Sequence, residues 1–315
     1  MGLIRIAVIG LGKIARDQHL PAIAGSDEFQ LAATVDPGAK GLPDVPHFSD
    51  LATLLADGPK LDAVALCMPP RFRYDIASAA LACGLHVLLE KPPCATLRDA
   101  EMLSMQAKAM DVSLFAAWHS RFANGVEPAR SWLARRQIKH VVATWHEDVR
   151  VWHPGQNWIL EEGGFGVFDP GINALSILTR ILPLPFRLSR ATLLTPANWK
   201  MPIAARLAFR DNADTEIVLD LDWTKSGVPR WDIAVATDSG LLKLEAGGSI
   251  LSLPNDENRQ AAEESLALSG EYPELYTHFA RLIGTGKSDA DMEPLLHVTD
   301  AFEIAEQRIV EMFED

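Results

Sequence analysis

The hydropathy of the chain changes rhythm near residue 120. Over the first 120 residues, short, mainly apolar runs recur at Ile4–Ile9, Gln30–Val35, Ala63–Leu66, His86–Leu89 and Ser113–Ala117. Runs of this length, rich in branched residues and lacking polar alternation, suit strands buried on both faces. Helical patterns fill the gaps, near Ile14–Ala24, Ser49–Ala56, Arg71–Cys83 and Leu97–Met110. Strand and helix in alternation predict a doubly wound parallel sheet of the Rossmann kind. Pro21 stands inside the first helical pattern and is expected to kink or shorten it.

Beyond about residue 137 strand follows strand: Ile138–Val149, Phe186–Thr195, Ile203–Arg210, Thr215–Asp222, Trp231–Thr237, Leu241–Ala246 and Ser249–Leu253. Thr215–Asp222 alternates apolar and polar over its second half, the pattern of a half-exposed antiparallel strand. Thr237-Asp238-Ser239-Gly240 and Ala246-Gly247-Gly248 read as hairpin turns. One helix, Pro170–Ile181, interrupts the strands, and two more, Glu274–Ile283 and Leu295–Phe313, are expected to close the chain. The class is therefore α/β. A Rossmann domain over residues 1–120 precedes an α+β domain over 121–315, whose open sheet is largely antiparallel. The loop Asp256–Ser269 is expected to be mobile.

Composition narrows the function classes. A length of 315 residues fits roughly two domains. The hydrophobic share of 48% and charged share of 23% are ordinary globular usage. A net charge of −13 argues against nucleic acid or an anionic membrane as partner. The three cysteines, Cys67, Cys83 and Cys94, lack metal-ligand spacing, so no metal site is expected and they read as reduced thiols. No apolar stretch approaches the roughly 20 residues that span a bilayer. The first ten residues already form a strand rather than a signal peptide, so a cytoplasmic location is expected.

Two motifs carry candidate chemistry. Gly10-Leu11-Gly12-Lys13-Ile14-Ala15 follows the first strand and fits G-x-G-x-x-A. Gly10 permits the sharp turn, Gly12 lets backbone approach a pyrophosphate, and the helix start that carries Lys13 and Ile14 faces the phosphates. Asp36, at the end of the second strand, is placed to bind both ribose hydroxyls and repel a 2′-phosphate. That favours NAD, while Arg16 and Lys40 leave room for NADP. Cys67-Met68-Pro69-Pro70 ends the third strand and either lines the cofactor channel, with Cys67 and Pro69 as contacts, or is a stiff structural loop. The second motif is Glu90-Lys91-Pro92, where an apolar strand ends abruptly in a carboxylate, an amine and a proline. Ligands of open α/β sheets bind beyond such strand ends. A lysine there can serve proton transfer with Glu90 holding it, or the pair can be a surface ion pair.

Together with Gly163-Gly164-Phe165-Gly166 leading to Asp169-Pro170-Gly171-Ile172-Asn173, these motifs resemble the Gfo/Idh/MocA family of sugar and cyclitol dehydrogenases over nearly the whole chain. The resemblance implies that Lys91 contacts substrate and nicotinamide and that the Lys91–Pro92 peptide is often cis. Lys13–Pro21, Ala117–Arg121 and Val151–Gln156 look like the bacterial aldose 1-dehydrogenases acting on L-arabinose and D-galactose, which oxidise the anomeric carbon to a lactone. One departure matters: the common family motif Asp-x-Gly-x-His ends here in Asn173, and an amide is no general base.

The implied substrate is thus a free aldopyranose, since no arginine cluster for a sugar phosphate is evident. Asp169 and Lys91 are the candidate bases for the anomeric hydroxyl. Asp169 is favoured as acceptor, with Lys91 polarising the oxygen and Asn173 one helical turn on gripping the sugar. His119, Glu147, Trp152 and His153 are candidate substrate contacts, and Trp158 and Trp231 candidate stacking plates. The alternatives are another sugar or cyclitol dehydrogenase of the family, or a non-catalytic sugar sensor. The open second sheet is expected to form a homodimer.

Overall fold

The structure is a computed structural model that describes residues 2–254 and 270–314; the loop Asp256–Ser269, expected to be mobile, lies outside the described residues. The chain divides into two compact units, Met1–His119 with Ser269–Met292, and Ser120–Leu268 with Glu293–Asp315. The sequence division at residue 120 thus meets the end of the first unit's leading stretch, but the segment after 269 returns to that unit rather than staying with the second.

The first unit holds β1 (Ile4–Ile9), α1 (Leu20–Ala24), β2 (Phe29–Val35), β3 (His47–Phe48), α2 (Leu51–Asp57), β4 (Ala63–Leu66), α3 (Arg73–Ala82), β5 (His86–Glu90), α4 (Leu97–Ala109) and β6 (Leu114–Ala117). The six strands pair in the order β3-β2-β1-β4-β5-β6, all parallel. This is the Rossmann order, in which strand direction of travel reverses between β1 and β4. The central strands are fully buried, as their unbroken apolar runs require: Val8, Val64, Leu66 and Leu88 are all 0% exposed. Helix starts follow the sequence where a side chain can cap them. Asp50 accepts from the Thr53 amide at 2.8 Å ahead of α2, and Thr96 accepts from the Asp99 amide ahead of α4. The first helical pattern begins as a π-turn, Ala15–His19, before α1. Pro21 has no amide hydrogen to donate, and the wider turn comes just before it.

The segment after residue 269 contributes α8 (Glu271–Thr285). Tyr272, Tyr276 and Phe279 recur at helical spacing and are 1%, 0% and 0% exposed. Phe279 stacks on Phe29 and Phe115, and Tyr276 meets Phe29 edge-on. Each buried ring is worth about 2–3 kcal/mol, which accounts for a C-terminal helix being drawn to an N-terminal sheet.

The second unit holds α5 (Val126–Leu133), β7 (Ile138–His146), α6 (Val149–Trp152), α7 (Phe168–Ile181), β8 (Phe186–Pro196), β9 (Ala204–Asp211), β10 (Glu216–Asp222), β11 (Arg230–Thr237), β12 (Gly240–Glu245), β13 (Ile250–Ser252), α9 (Glu293–Ile304) and β14 (Glu306–Val310). Its sheet runs β13-β12-β11-β7-β10-β9-β8-β14. It is largely antiparallel, with parallel pairs β7–β10 and β8–β14. Alternation decides the faces: Ile217, Leu219 and Leu221 of β10 are buried, while Glu216, Val218 and Asp220 between them are half-exposed. The expected closing helix Leu295–Phe313 is corrected here. It ends at Ile304, and Glu306–Val310 instead adds to β8 as a parallel edge strand. Its run of Glu, Gln and Arg before Ile and Val offers no apolar helical stripe, and pairing with β8 satisfies its backbone. The expected first strand Ile138–Val149 likewise stops at His146, where Asp148 caps α6 by accepting from the Arg150 amide at 3.0 Å.

Candidate active site

In the first unit the glycine turn is built around β1 and β4. Gly10 has φ +91°, and a Cβ there would lie 2.6 Å from the Met68 amide nitrogen, so only glycine fits. A Cβ on Gly12 would meet nothing within 4 Å, which leaves its backbone open to a ligand. Cys67, buried, hydrogen-bonds its amide to the Ile9 carbonyl at 2.8 Å and so sets the Met68 loop against this turn. Pro69 is half-buried at the head of that loop. Asp36 braces the turn from β2: its carboxylate accepts from the amides of Leu11 at 2.8 Å, Gly38 at 2.9 Å and Ala39 at 2.7 Å. Burial works against its charge, but these three bonds outweigh burial and lower its pKa. Lys13 is exposed and ion-paired with Asp17, and Ile14 is half-buried. Arg16 donates to the Leu11 and Lys40 carbonyls. A backbone opened at Gly12, at the head of a β–α junction and with an acid at the end of β2, fits a dinucleotide.

The end of β5 is more elaborate than its sequence suggests. Glu90 is 2% exposed and accepts from the Tyr272 hydroxyl of α8, and His19 Nε2 lies 3.4 Å from the same oxygen. Burial alone would raise the Glu90 pKa, yet the His19 contact and the positive charge of neighbouring groups, Lys91 among them, lower it to about 2. His19 in turn pairs its Nδ1 with the Tyr276 hydroxyl at 2.8 Å. Lys91 is half-buried, and the Lys91–Pro92 peptide is cis. His119, 3% exposed, pairs with Glu271 and stacks on Tyr272. Glu90 and His119 are thus linked through residues 271 and 272 of one helix.

In the second unit Asp169 falls in the first turn of α7, which starts at Phe168 rather than at Pro170. The N-terminal end of a helix favours a carboxylate. Asp169 is 8% exposed, and its Oδ2 lies 3.8 Å from His153 Nε2. The same nitrogen lies 3.9 Å from Oε1 of Glu147. Both Glu147 oxygens accept from indoles, Trp223 Nε1 at 2.9 Å and Trp231 Nε1 at 2.7 Å. Trp152 meets Trp231 edge-on at 5.0 Å, and Trp145 stacks on Trp231 at 6.0 Å. One cluster therefore holds Glu147, Trp152, His153 and Asp169. Asn173 is half-buried one turn beyond Asp169. Trp158, also half-buried, makes no ring contact within this cluster among the described residues. An imidazole within 4 Å of two carboxylates can accept or return a proton, and the indole wall offers an apolar face.

In the glycine run before Asp169, two positions lie against backbone carbonyls. A Cβ on Gly164 would lie 2.1 Å from the Ile159 carbonyl, and one on Gly166 2.3 Å from that of Pro202. Gly164 and Gly166 thus serve internal packing, while a Cβ on Gly163 would meet nothing within 4 Å. Sequence reading missed Arg73, Trp223, Tyr272 and Tyr276. Tyr276 falls in the foreseen helix Glu274–Ile283, but Tyr272 lies two residues before it, and only their four-residue spacing could have pointed to a shared face; nothing local marks Arg73 or sets Trp223 apart from the other tryptophans. Among the described residues, no group of three or more His, Cys, Asp or Glu is arranged to hold a metal ion, and no helix is long and apolar enough to cross a membrane.

The chain is similar over its full length to known proteins. The profile of the Gfo/Idh/MocA oxidoreductase family, NAD-binding Rossmann fold, matches residues 4–117. Galactose 1-dehydrogenase of Pseudomonas fluorescens is 41% identical over 312 residues, covering 99% of each chain. The crystal structure of a D-galactose-1-dehydrogenase protein from Rhizobium etli superposes with a TM-score of 0.92 at 46% identity, covering 100% of this chain and 99% of that one. An inositol dehydrogenase homologue from Azotobacter vinelandii, complexed with NAD+, shares the fold at 20% identity, with a TM-score of 0.80 over 96% of this chain and 94% of its own. With relatives this similar from end to end, the chain belongs to the Gfo/Idh/MocA family of oxidoreductases, with an NAD-binding Rossmann fold.

Proposed function

We propose that the chain is an aldose 1-dehydrogenase that oxidises the anomeric carbon of a free aldopyranose, D-galactose or L-arabinose, to its lactone. The bound NAD+ supplies the hydride acceptor. Gly10, Gly12, the Lys13–Ile14 helix start, Asp36, Cys67, Pro69 and Glu90 hold it, and Lys91 touches both it and the sugar. Asp169 accepts the proton of the anomeric hydroxyl, and Lys91 donates to that oxygen and stabilises negative charge developing there. His119, Glu147, Trp152, His153 and Asn173 orient the sugar. The two galactose 1-dehydrogenase relatives, similar over both units, support this reading.

The observation that carries it is the Asp169–His153 pair, with Nε2 at 3.8 Å from Oδ2. The family's proton-handling histidine is absent at Asn173, and this pair supplies a carboxylate and an imidazole from another direction. NAD is preferred over NADP because Asp36 carries its charge at the ribose position while Arg16 is engaged by carbonyl oxygens. Three free thiols accord with a cytosolic location. The test is a panel of aldoses followed by nicotinamide absorbance. Reduced cofactor and lactone are expected from D-galactose or L-arabinose, and the absence of both with every aldose would defeat the proposal.

A further inference from the structure

Arg73 has no part in the machinery proposed above, yet it is 3% exposed at the start of α3. Its Nε donates to the Met68 carbonyl at 2.7 Å. Its Nη1 donates to two further carbonyls, those of Glu90 and Pro92. Glu90 and Pro92 are the immediate neighbours of Lys91. One guanidinium nitrogen therefore holds the chain on both sides of the lysine, while Nε ties the same group to the loop that packs against Gly10.

The chemistry of arginine suits this position and that of lysine does not. A guanidinium is planar and projects its donors in fixed directions, so it can reach three carbonyls from two strand ends at once. An ammonium is a compact point donor and cannot span the same set. The reach of a flexible side chain depends on where its Cα sits, and displacement of a reacting group by about 1 Å can cost about a hundredfold in rate.

Resting on the reading that Lys91 acts on the substrate hydroxyl, we propose that Arg73 is the positioning residue for Lys91, clamping the carbonyls before and after it so that the amine is delivered from a fixed backbone.

The test uses the full chain with Arg73→Lys, which keeps the charge and removes the fork. Reductive methylation with a carbon-13 label follows the Lys91 amine without needing turnover, its resonance assigned by loss in Lys91→Ala. The Lys91 resonance of R73K is expected to shift toward those of solvent-exposed lysines and to broaden. Under aldose turnover, kcat is expected to fall about 10- to 100-fold, with KM for NAD+ held within about threefold. An unchanged resonance with unchanged kcat overturns the proposal. So does an R73K protein that does not fold, since Arg73 would then be a purely structural residue. If the wild-type chain oxidises no aldose but the Lys91 resonance still moves in R73K, the positioning role stands and the dehydrogenase reading falls.

Discussion

Glu147 shows how much a single carboxylate decides at the residue scale. Each of its oxygens accepts from one indole, so it sets the planes of Trp223 and Trp231 together. Glutamine has one carbonyl oxygen and would turn its amide donors toward the second indole. Glu147→Gln is therefore expected to cost about 1–3 kcal/mol in stability and to raise the sugar KM about tenfold while sparing NAD+ affinity; a melting curve and steady-state kinetics check this. Glu90 carries a pH dependence. Its folded pKa of about 2 lies below its ordinary value of 4.5, so the charged form is bound more tightly in the folded chain. Its contribution is fully present above the ordinary range and is lost as pH falls through the folded value. A shift of this size is on the order of 3 kcal/mol. Acid unfolding of Glu90→Gln should begin from lower stability at neutral pH and show a flatter slope between about pH 4.5 and 2. An unchanged slope would mean that the His19 contact and the neighbouring positive charges do not hold the charge.

At the scale of elements, α7 carries the candidate base, and a glycine determines how closely that helix approaches the sheet. A Cβ on Gly171 would lie 2.5 Å from Leu221 Cδ1, and Leu221 is 1% exposed on the core face of β10. Gly171→Ala overpacks this contact. The expected loss is about 1–3 kcal/mol of stability, with a lower sugar kcat/KM because Asp169, two residues earlier, moves with the helix; calorimetry and kinetics read the two effects separately. The elements themselves were largely legible where the pattern was strong. The five short apolar runs became β1, β2, β4, β5 and β6 almost residue for residue, because burial on both faces leaves little choice of pattern. Strand β3 is two residues long and β14 is an exposed edge, and neither has an apolar signature. Their pairing comes from neighbours distant in sequence.

For the whole molecule, assembly is the main expectation. On the face of the second sheet opposite α7, Val142 is 38% exposed and pairs across to Val218 and Ala234, while Val218 pairs on to Ala208. A strip of apolar side chains across the middle of an open sheet supports the homodimer proposed from the sequence. Val142→Glu is expected to give a monomer by light scattering while NAD+ affinity in the Rossmann unit stays within about threefold. A wild-type chain that scatters as a monomer at every concentration would remove the interface.

By itself the sequence determined the parallel Rossmann sheet and the glycine turn after its first strand, and it singled out Asp36, Lys91 and Asp169 as candidates. Each depends on local rules: period, turn chemistry, or a short motif at a strand or helix end. Only the tertiary structure decided that α8 returns to the first unit, that Tyr272 and His19 reach Glu90, that Glu147 serves two indoles, and that Arg73 donates to the carbonyls on either side of Lys91. Those contacts join residues far apart in the chain, and their energies come from burial and directed hydrogen bonds that no spacing along the sequence encodes.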